Sequence, residues 1–249
     1  SRMLTVIFIT GTKGKTSTAE IMNNILEASG ATTALLGTLR FKVGEKSTRN
    51  MRKMTIPGRF FVQRFLRDAV RAGCTHAVIE MTSEGAKQFR HRFIDADALI
   101  FLNLSPEHIE SHGSYEAYRD AKLSIARALA HSQKPRRLMV ANADDKEGTL
   151  FLALPGLTPL PFSKKDGEPI DAREDGITLF FKGERITSTL PGLHNAENII
   201  AALNSAYEQQ HVAGVILRIN SPGGSPVQAG MVYDEIHRLR KQYPEIPLY

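Results

Sequence analysis

The chain has 249 residues, 42% of them hydrophobic, with a formal net charge of +6, a single cysteine and no tryptophan. That length and apolar content allow one large α/β domain, or one domain with a piece of another, around a real core. The lone Cys74 excludes an internal disulfide and a thiolate metal cluster and points to a reducing, cytoplasmic setting.

No apolar run approaches the roughly 20 residues of a bilayer span, so no membrane insertion is expected. Few aromatics and no nucleic-acid motif argue against a nucleic-acid partner, and the modest positive charge suits an anionic small substrate. From the N-terminus, residues 4–10 form a short apolar run that enters a glycine turn, and they read as a buried strand rather than a secretory segment. A helix is expected over residues 17–28, then a polar, hairpin-like stretch over 38–54. Phe61, Phe65, Leu66, Ala69 and Val70 recur at helical spacing and predict a helix over 59–72. Residues 76–81 and 98–104 are further core strands, 115–130 a helix, and 137–142 again a strand. This alternation predicts an α/β fold: a phosphate-loop type of parallel sheet flanked by helices. Between 157 and 190 the turns Asp166-Gly167, Asp175-Gly176 and Lys182-Gly183 separate short strands, which predicts a small antiparallel sheet. A helix over 196–208 follows.

The chemistry concentrates first in VIFITGTKGKTSTAEIMNNIL, residues 6–26. A glycine-rich turn between a strand and a helix aims backbone N–H groups at one point, at the positive end of the helix dipole. Gly11, Thr12, Lys13, Gly14, Lys15, Thr16 and Ser17 therefore read as a phosphate-binding loop, with Lys15 reaching the outer phosphates and the Thr16 hydroxyl holding Mg²⁺. The spacing departs from the common form, because the residue five before Gly14 is Ile9. An ordinary glycine turn with surface lysines would not need the strand before it or the GKTS-headed helix after it.

TGTKGKTST resembles the ATP loop of the Mur ligases and folylpolyglutamate synthetases, which form amide bonds using ATP. Further segments follow in the family's order: VIEMTSEG (78–85), NLSPEHIESHGSYEAYRDAK (103–122), VANADD (140–145) and LPGLHNAENIIAAL (190–203). SHGSYEAY and TIPGR (55–59) are most similar to the UDP-N-acetylmuramoyl-tripeptide synthetase branch. The resemblance implies ATP and Mg²⁺ as cofactors, with a UDP-N-acetylmuramoyl peptide and an amino acid as substrates of peptidoglycan precursor synthesis, joined through an acyl phosphate. It also implies Glu80 as a Mg²⁺ ligand and a helix carrying His194, Asn195 and Asn198 near the adenine. Thr55, Arg59, Thr82 and Ser83 fall on the substrate side. Where that branch commonly has Ser-Ser-His, this chain has Thr82-Ser83-Glu84.

Mg²⁺ prefers hard oxygen ligands and keeps several waters, so Glu80 and Thr16 suffice beside phosphates. His108 is a candidate second metal ligand, although a histidine there also serves as an ordinary loop or capping residue. Lys122 is matched to a lysine that the family converts with CO₂ to a carbamate, turning a cation into an oxygen ligand; that needs an amine of depressed pKa. Lys15, Lys122 and His108 are the catalytic candidates. His112 either contacts substrate or caps the next helix. Arg49, Arg52, Lys53 and Arg59 either face an anionic sugar nucleotide or form solvated surface.

Residues 211–249 resemble a different family, the signal peptide peptidases (protease IV), whose R-I-N-S-P-G-G segment supplies oxyanion-hole donors matched here by Gly223 and Gly224. The nucleophile and base of that family fall outside the match. The expected organisation is therefore a Mur-ligase central domain over 1–209, lacking the family's N- and C-terminal domains, followed by a peptidase-like β-turn-α fragment of a ClpP/crotonase-like fold over 210–249. The alternatives to an amide ligase are a non-catalytic ATP-binding module, a folylpolyglutamate-synthetase-like ligase, and a peptidase reading that rests on the tail alone.

Overall fold

The computed structural model describes residues 2–52, 54–107 and 112–208. Lys53, His108 and the peptidase-like segment with Gly223 and Gly224 lie outside the described residues.

The strand that opens the chain, β1 (Thr5–Thr10), alternates its side chains between two buried faces. Val6 and Phe8 join one core cluster, while Ile7 and Ile9 join another. The same division runs through β5 (His76–Glu80), β6 (Ala98–Phe101) and β7 (Leu138–Asn142), the near-continuous apolar runs expected of strands covered on both sides. Four helices do the covering. The α2 helix (Arg59–Arg71) contributes Val62, Phe65, Leu66 and Ala69 to the first cluster, and α4 (Tyr115–Ala130) contributes Leu123, Ile125, Ala126 and Leu129. On the other face, α1 (Lys15–Ala28) supplies Ala19, Met22 and Leu26, and α6 (Leu193–Tyr207) supplies Ala196, Ile199, Ile200 and Leu203. Two single-turn helices, α3 (Ser83–Lys87) and α5 (Gly148–Leu152), were not legible in the sequence.

The main sheet has eight strands in the order β4-β3-β2-β5-β1-β6-β7-β8. From β2 (Thr33–Leu36) to β8 (Thr158–Phe162) neighbouring strands run parallel. The hairpin β3 (Arg40–Val43) and β4 (Lys46–Arg49) adds antiparallel to β2, as the polar stretch implied. Arg40 pins the hairpin to α1 through Glu20, its Nη2 lying 2.6 Å from Oε2.

Three expectations are corrected. The four-residue β2, absent from the sequence reading, is too short to show a period, and its pairing with β5 places it. Residues 158–162 belong to the parallel sheet, not to the small antiparallel one. Their sequence, TPLPF, suits only an edge: Thr158 N–H donates to Arg137 O, so the nitrogens of Pro159 and Pro161 face the open side where no donor is required. Asp166-Gly167 sits in a 3-10 turn at 164–167 rather than in a hairpin. The antiparallel sheet is β9 (Asp171–Arg173), β10 (Gly176–Phe181) and β11 (Glu184–Ser188), and its inner residues Ile177, Leu179 and Phe181 pack into the α1/α6 cluster.

Candidate functional site

Parallel strands converge their loops at one end of the sheet, where open α/β folds place their ligands. Here β1, β5 and β6 deliver the 11–14 loop, Glu80 and the segment beginning at Leu102. The loop turns at Gly14, whose φ of 84° is left-handed, and α1 begins one residue later, at Lys15, two residues before the predicted start. A Cβ at Gly14 would run into Asn198 Oδ1. Asn198 in turn donates to Asn195 Oδ1 at 3.1 Å, and Asn195 donates to Pro191 O at 2.7 Å. The two asparagines are buried and seat α6 against the loop, while His194 stays exposed at the start of that helix.

Lys15 curls back over the loop, its Nζ donating to Gly11 O at 2.9 Å and Thr12 O at 2.8 Å. Burial lowers its pKa, opposed by the carboxylates of Glu80 and Glu107. Lys122, 1% exposed, reaches the same carbonyl from α4: Nζ to Gly11 O is 2.8 Å. Burial, and then the charge of Lys15, pushes its pKa well down, the condition the carbamate expectation requires. Tyr118, one turn earlier, places its ring 4.9 Å below Lys122 Nζ and its hydroxyl 3.0 Å from Thr12 Oγ1.

Glu80 ends β5 facing α1. Its Oε2 accepts from Thr16 Oγ1 at 3.0 Å and from Thr38 Oγ1 at 3.0 Å, and its Oε1 accepts from the Thr38 N–H at 2.8 Å. Burial raises its pKa, while these donors and Lys15 pull it down. The turn at Gly37 must be side-chain-free there, because a Cβ would strike Glu80 Oε1. Among the described residues no group of three or more His, Cys, Asp or Glu is placed to hold a metal. A hard cation at this site would rest on Glu80 and Thr16, which Mg²⁺ tolerates because it keeps its waters.

A cavity of about 360 Å³ opens beside the loop, lined by Lys15 and Lys122 on one side and by Thr55, Thr82, Ser83 and Arg90 on the other. Thr55, Thr82 and Ser83 thus share one cavity with Lys15 and Lys122. Thr82 is also the N-cap of α3, accepting from Gly85 N–H at 3.0 Å. The predicted basic group behaves differently. Arg49 is exposed on β4, the guanidinium of Arg52 lies 4.6 Å above the Phe61 ring, and Arg59 is exposed at the first position of α2. None of these three lines the cavity; Arg90 does, its guanidinium donating to Ile56 O. The basic, aromatic run QFRHRF (88–93) was the only signal for it. His112 is held against α3, Nε2 lying 3.1 Å from Ser83 Oγ and 3.3 Å from Glu84 Oε1. It does not cap α4; Ser114 does, accepting from Ala117 N–H at 3.1 Å.

Asn103, the first residue of the 103–122 motif, organises the loop. Its Oδ1 accepts the N–H groups of Thr12 at 3.1 Å and Lys13 at 2.9 Å, and its Nδ2 donates to Lys13 O at 3.3 Å. Two loop donors are therefore committed within the protein. The donors left for an anion are those at the head of α1, beyond Gly14. Lys13 points outward to an ion pair with Glu107 at 3.1 Å.

Fold and loop together define a phosphate-loop α/β domain. The chain belongs to the Mur ligase family: residues 9–206 match the model of the Mur ligase middle domain. It is 33% identical over 224 residues to a UDP-N-acetylmuramyl-tripeptide synthetase of Roseiflexus sp. (strain RS-1), covering 82% of this chain and 44% of that protein. It is 29% identical to a UDP-N-acetylmuramoyl-L-alanyl-D-glutamate–2,6-diaminopimelate ligase of Aquifex aeolicus (strain VF5), covering 90% and 47%. A solved structure of a ligase of that second name superposes with a TM-score of 0.69 at 26% identity, covering 82% of this chain and 43% of that one. A folylpolyglutamate synthetase structure titled as an AMPPCP complex shares the fold, with a TM-score of 0.56 at 19% identity, covering 82% and 58%. The chain spans about half the length of the curated relatives it matches. Among the described residues no helix is long and apolar enough to cross a membrane.

Proposed function

We propose that this chain is the nucleotide-binding part of an ATP-dependent amide ligase of cytoplasmic peptidoglycan precursor synthesis, which joins an amino acid to a UDP-N-acetylmuramoyl peptide. The observation that carries the reading is the convergence of Lys15, Lys122, Thr16 and Glu80 around one loop, with Thr55, Thr82 and Ser83 across a shared cavity.

The donor set fits a triphosphate and Mg²⁺. The N–H groups at the head of α1 and the ammonium of Lys15, which rests on the carbonyls of Gly11 and Thr12, would hold phosphate oxygens. Glu80 and Thr16 would hold Mg²⁺, which when bound neutralises charge on the phosphates. Across the cavity, Thr55, Thr82, Ser83 and Arg90 would orient the substrate carboxylate toward the phosphate, and a positioned carboxylate needs little further chemistry from the protein. Lys122 reads as the amine that takes up CO₂: an N–C bond forms, one proton leaves to solvent, and the resulting carbamate carries oxygen ligands. Asn195, Asn198 and His194 belong to the adenine side in this reading, and His108 is kept as a second metal ligand. A domain boundary at 209/210 goes with it, so removal of residues 210–249 is expected to leave nucleotide binding unchanged.

Calorimetry with a non-hydrolysable ATP analogue and Mg²⁺ tests the reading. Mg²⁺-dependent binding is expected in the parent and its loss in Lys15→Ala, with the circular dichroism spectrum unchanged. Equal binding by Lys15→Ala would remove the phosphate-loop role. Phosphate release that requires both a UDP-muramoyl peptide and an amino acid would separate the ligase from a nucleotide-binding module without turnover.

A further inference from the structure

Thr38 sits in the turn between β2 and β3 and touches both halves of the site. Its N–H and hydroxyl hold the two oxygens of Glu80, at 2.8 and 3.0 Å, and the same hydroxyl oxygen lies 2.9 Å from Thr55 Oγ1 on the cavity wall. Thr16, Glu80, Thr38 and Thr55 therefore form one continuous hydrogen-bonded chain. It runs from the head of α1 to the segment across the cavity.

A hydroxyl has one proton to give and two lone pairs to receive with. While Thr38 gives its proton to Glu80 Oε2, the Thr38–Thr55 contact can be made only if Thr55 donates, so the Thr55 proton is spent inside the protein. Once Glu80 Oε2 is engaged by a divalent cation, one lone pair is taken up and the oxygen becomes a poorer acceptor for the threonine hydroxyls that share it. The Thr38 proton then has a better acceptor at hand in Thr55 Oγ1, 2.9 Å away. The bond between the two threonines reverses, and the Thr55 proton is released to face the cavity as a donor.

We propose that Thr38 is a positioning residue that couples occupancy of the Glu80 carboxylate to Thr55, by reversing the direction of the Thr38–Thr55 hydrogen bond. The backbone part of the Thr38–Glu80 contact is unaffected by this reversal, so the turn stays in place while only the proton moves. The consequence for recognition is specific: Thr55 offers an O–H donor to an anionic or carbonyl group in the cavity only after the cation site is filled. This orders the two binding events, cation first. The inference rests on the reading of Glu80 as a cation ligand.

The test is a Mg²⁺ titration of the full chain followed by amide chemical shifts. In the parent, Mg²⁺ is expected to shift Thr16 and Glu80 and, through Thr38, Thr55 and Ile56. Thr38→Val keeps the N–H bond and the shape but removes the hydroxyl. It should keep the response at Thr16 and lose it at Thr55 and Ile56, and Thr38→Ser should restore it. Should Thr38→Val not fold, Thr55→Val removes the other end of the bond, and the Ile56 response should vanish. Persistence of the Thr55 and Ile56 shifts in Thr38→Val overturns the coupling while leaving the cation site standing. Absence of any Mg²⁺ response at Thr16 and Glu80 in the parent overturns the cation site itself, and the coupling with it.

Discussion

Lys15 and Lys122 share one acceptor: the Nζ atoms of both donate to Gly11 O, at 2.9 and 2.8 Å. Both nitrogens therefore lie within about 6 Å of each other, where two full charges at an effective dielectric near 20 repel by roughly 3 kcal/mol. Lys122 is the deeper of the two, and burial, followed by the charge of Lys15, pushes its pKa well down.

Lys122→Met replaces that amine with an apolar side chain of similar length, which removes the cost of burying a polar group whose charged form is disfavoured. Thermal stability is expected to hold or rise, while Mg²⁺-dependent binding of the ATP analogue falls. A loss of stability by more than about 2 kcal/mol, in the range of a lost buried hydrogen bond, would mark Lys122 as structural instead.

Gly14→Ala should be costly twice over. A left-handed backbone at φ 84° costs an L-residue about 1–2 kcal/mol, and the new methyl meets Asn198. Adding Asn198→Ala should recover the second cost and not the first, so the two substitutions are expected to be non-additive in chemical denaturation.

Asn103 lies outside the cavity lining, and its substitution should nonetheless weaken phosphate binding, because it fixes Thr12 and Lys13. Asn103→Leu removes the acceptor of the Lys13 N–H, while the Thr12 N–H keeps the main-chain oxygen of residue 103 at 3.0 Å, and should cost about 1 kcal/mol. Asn103→Asp keeps both acceptor contacts and should retain most of the stability. Denaturation midpoints of the two variants decide this.

His91 supplies a pH dependence away from the site. It is 3% exposed, its Nδ1 has no hydrogen-bond partner among the described residues, and burial, helped by Arg92, lowers its pKa to about 4. Because the folded value lies below the unfolded 6.5, the unfolded chain takes the proton first. The stability tied to the neutral ring is therefore complete above pH 6.5 and is lost as pH falls toward 4, by at most roughly 3 kcal/mol. His91→Leu should flatten the stability curve across that window, and an unchanged slope would assign acid sensitivity elsewhere.

The sequence by itself determined what is periodic or local. Short continuous apolar runs announced β1, β5, β6 and β7, and the helix over 115–130 matched α4 to the residue, because a capping Ser114 and a regular apolar stripe are both encoded within a few positions. The loop at 11–17 was equally legible, since glycine, lysine and hydroxyl residues between a strand and a helix carry their chemistry in their order. Tertiary structure alone decided which distant residues meet. Nothing near Thr12 announces Asn103, 91 positions away, and nothing near Glu80 announces Thr38, 42 positions away. The same holds for β8: its two prolines excluded a central strand, but only pairing with β7 placed it at the edge of the parallel sheet. Contacts of that kind are set by how strands stack side by side, and strand order is a property of the whole sheet that no single segment encodes.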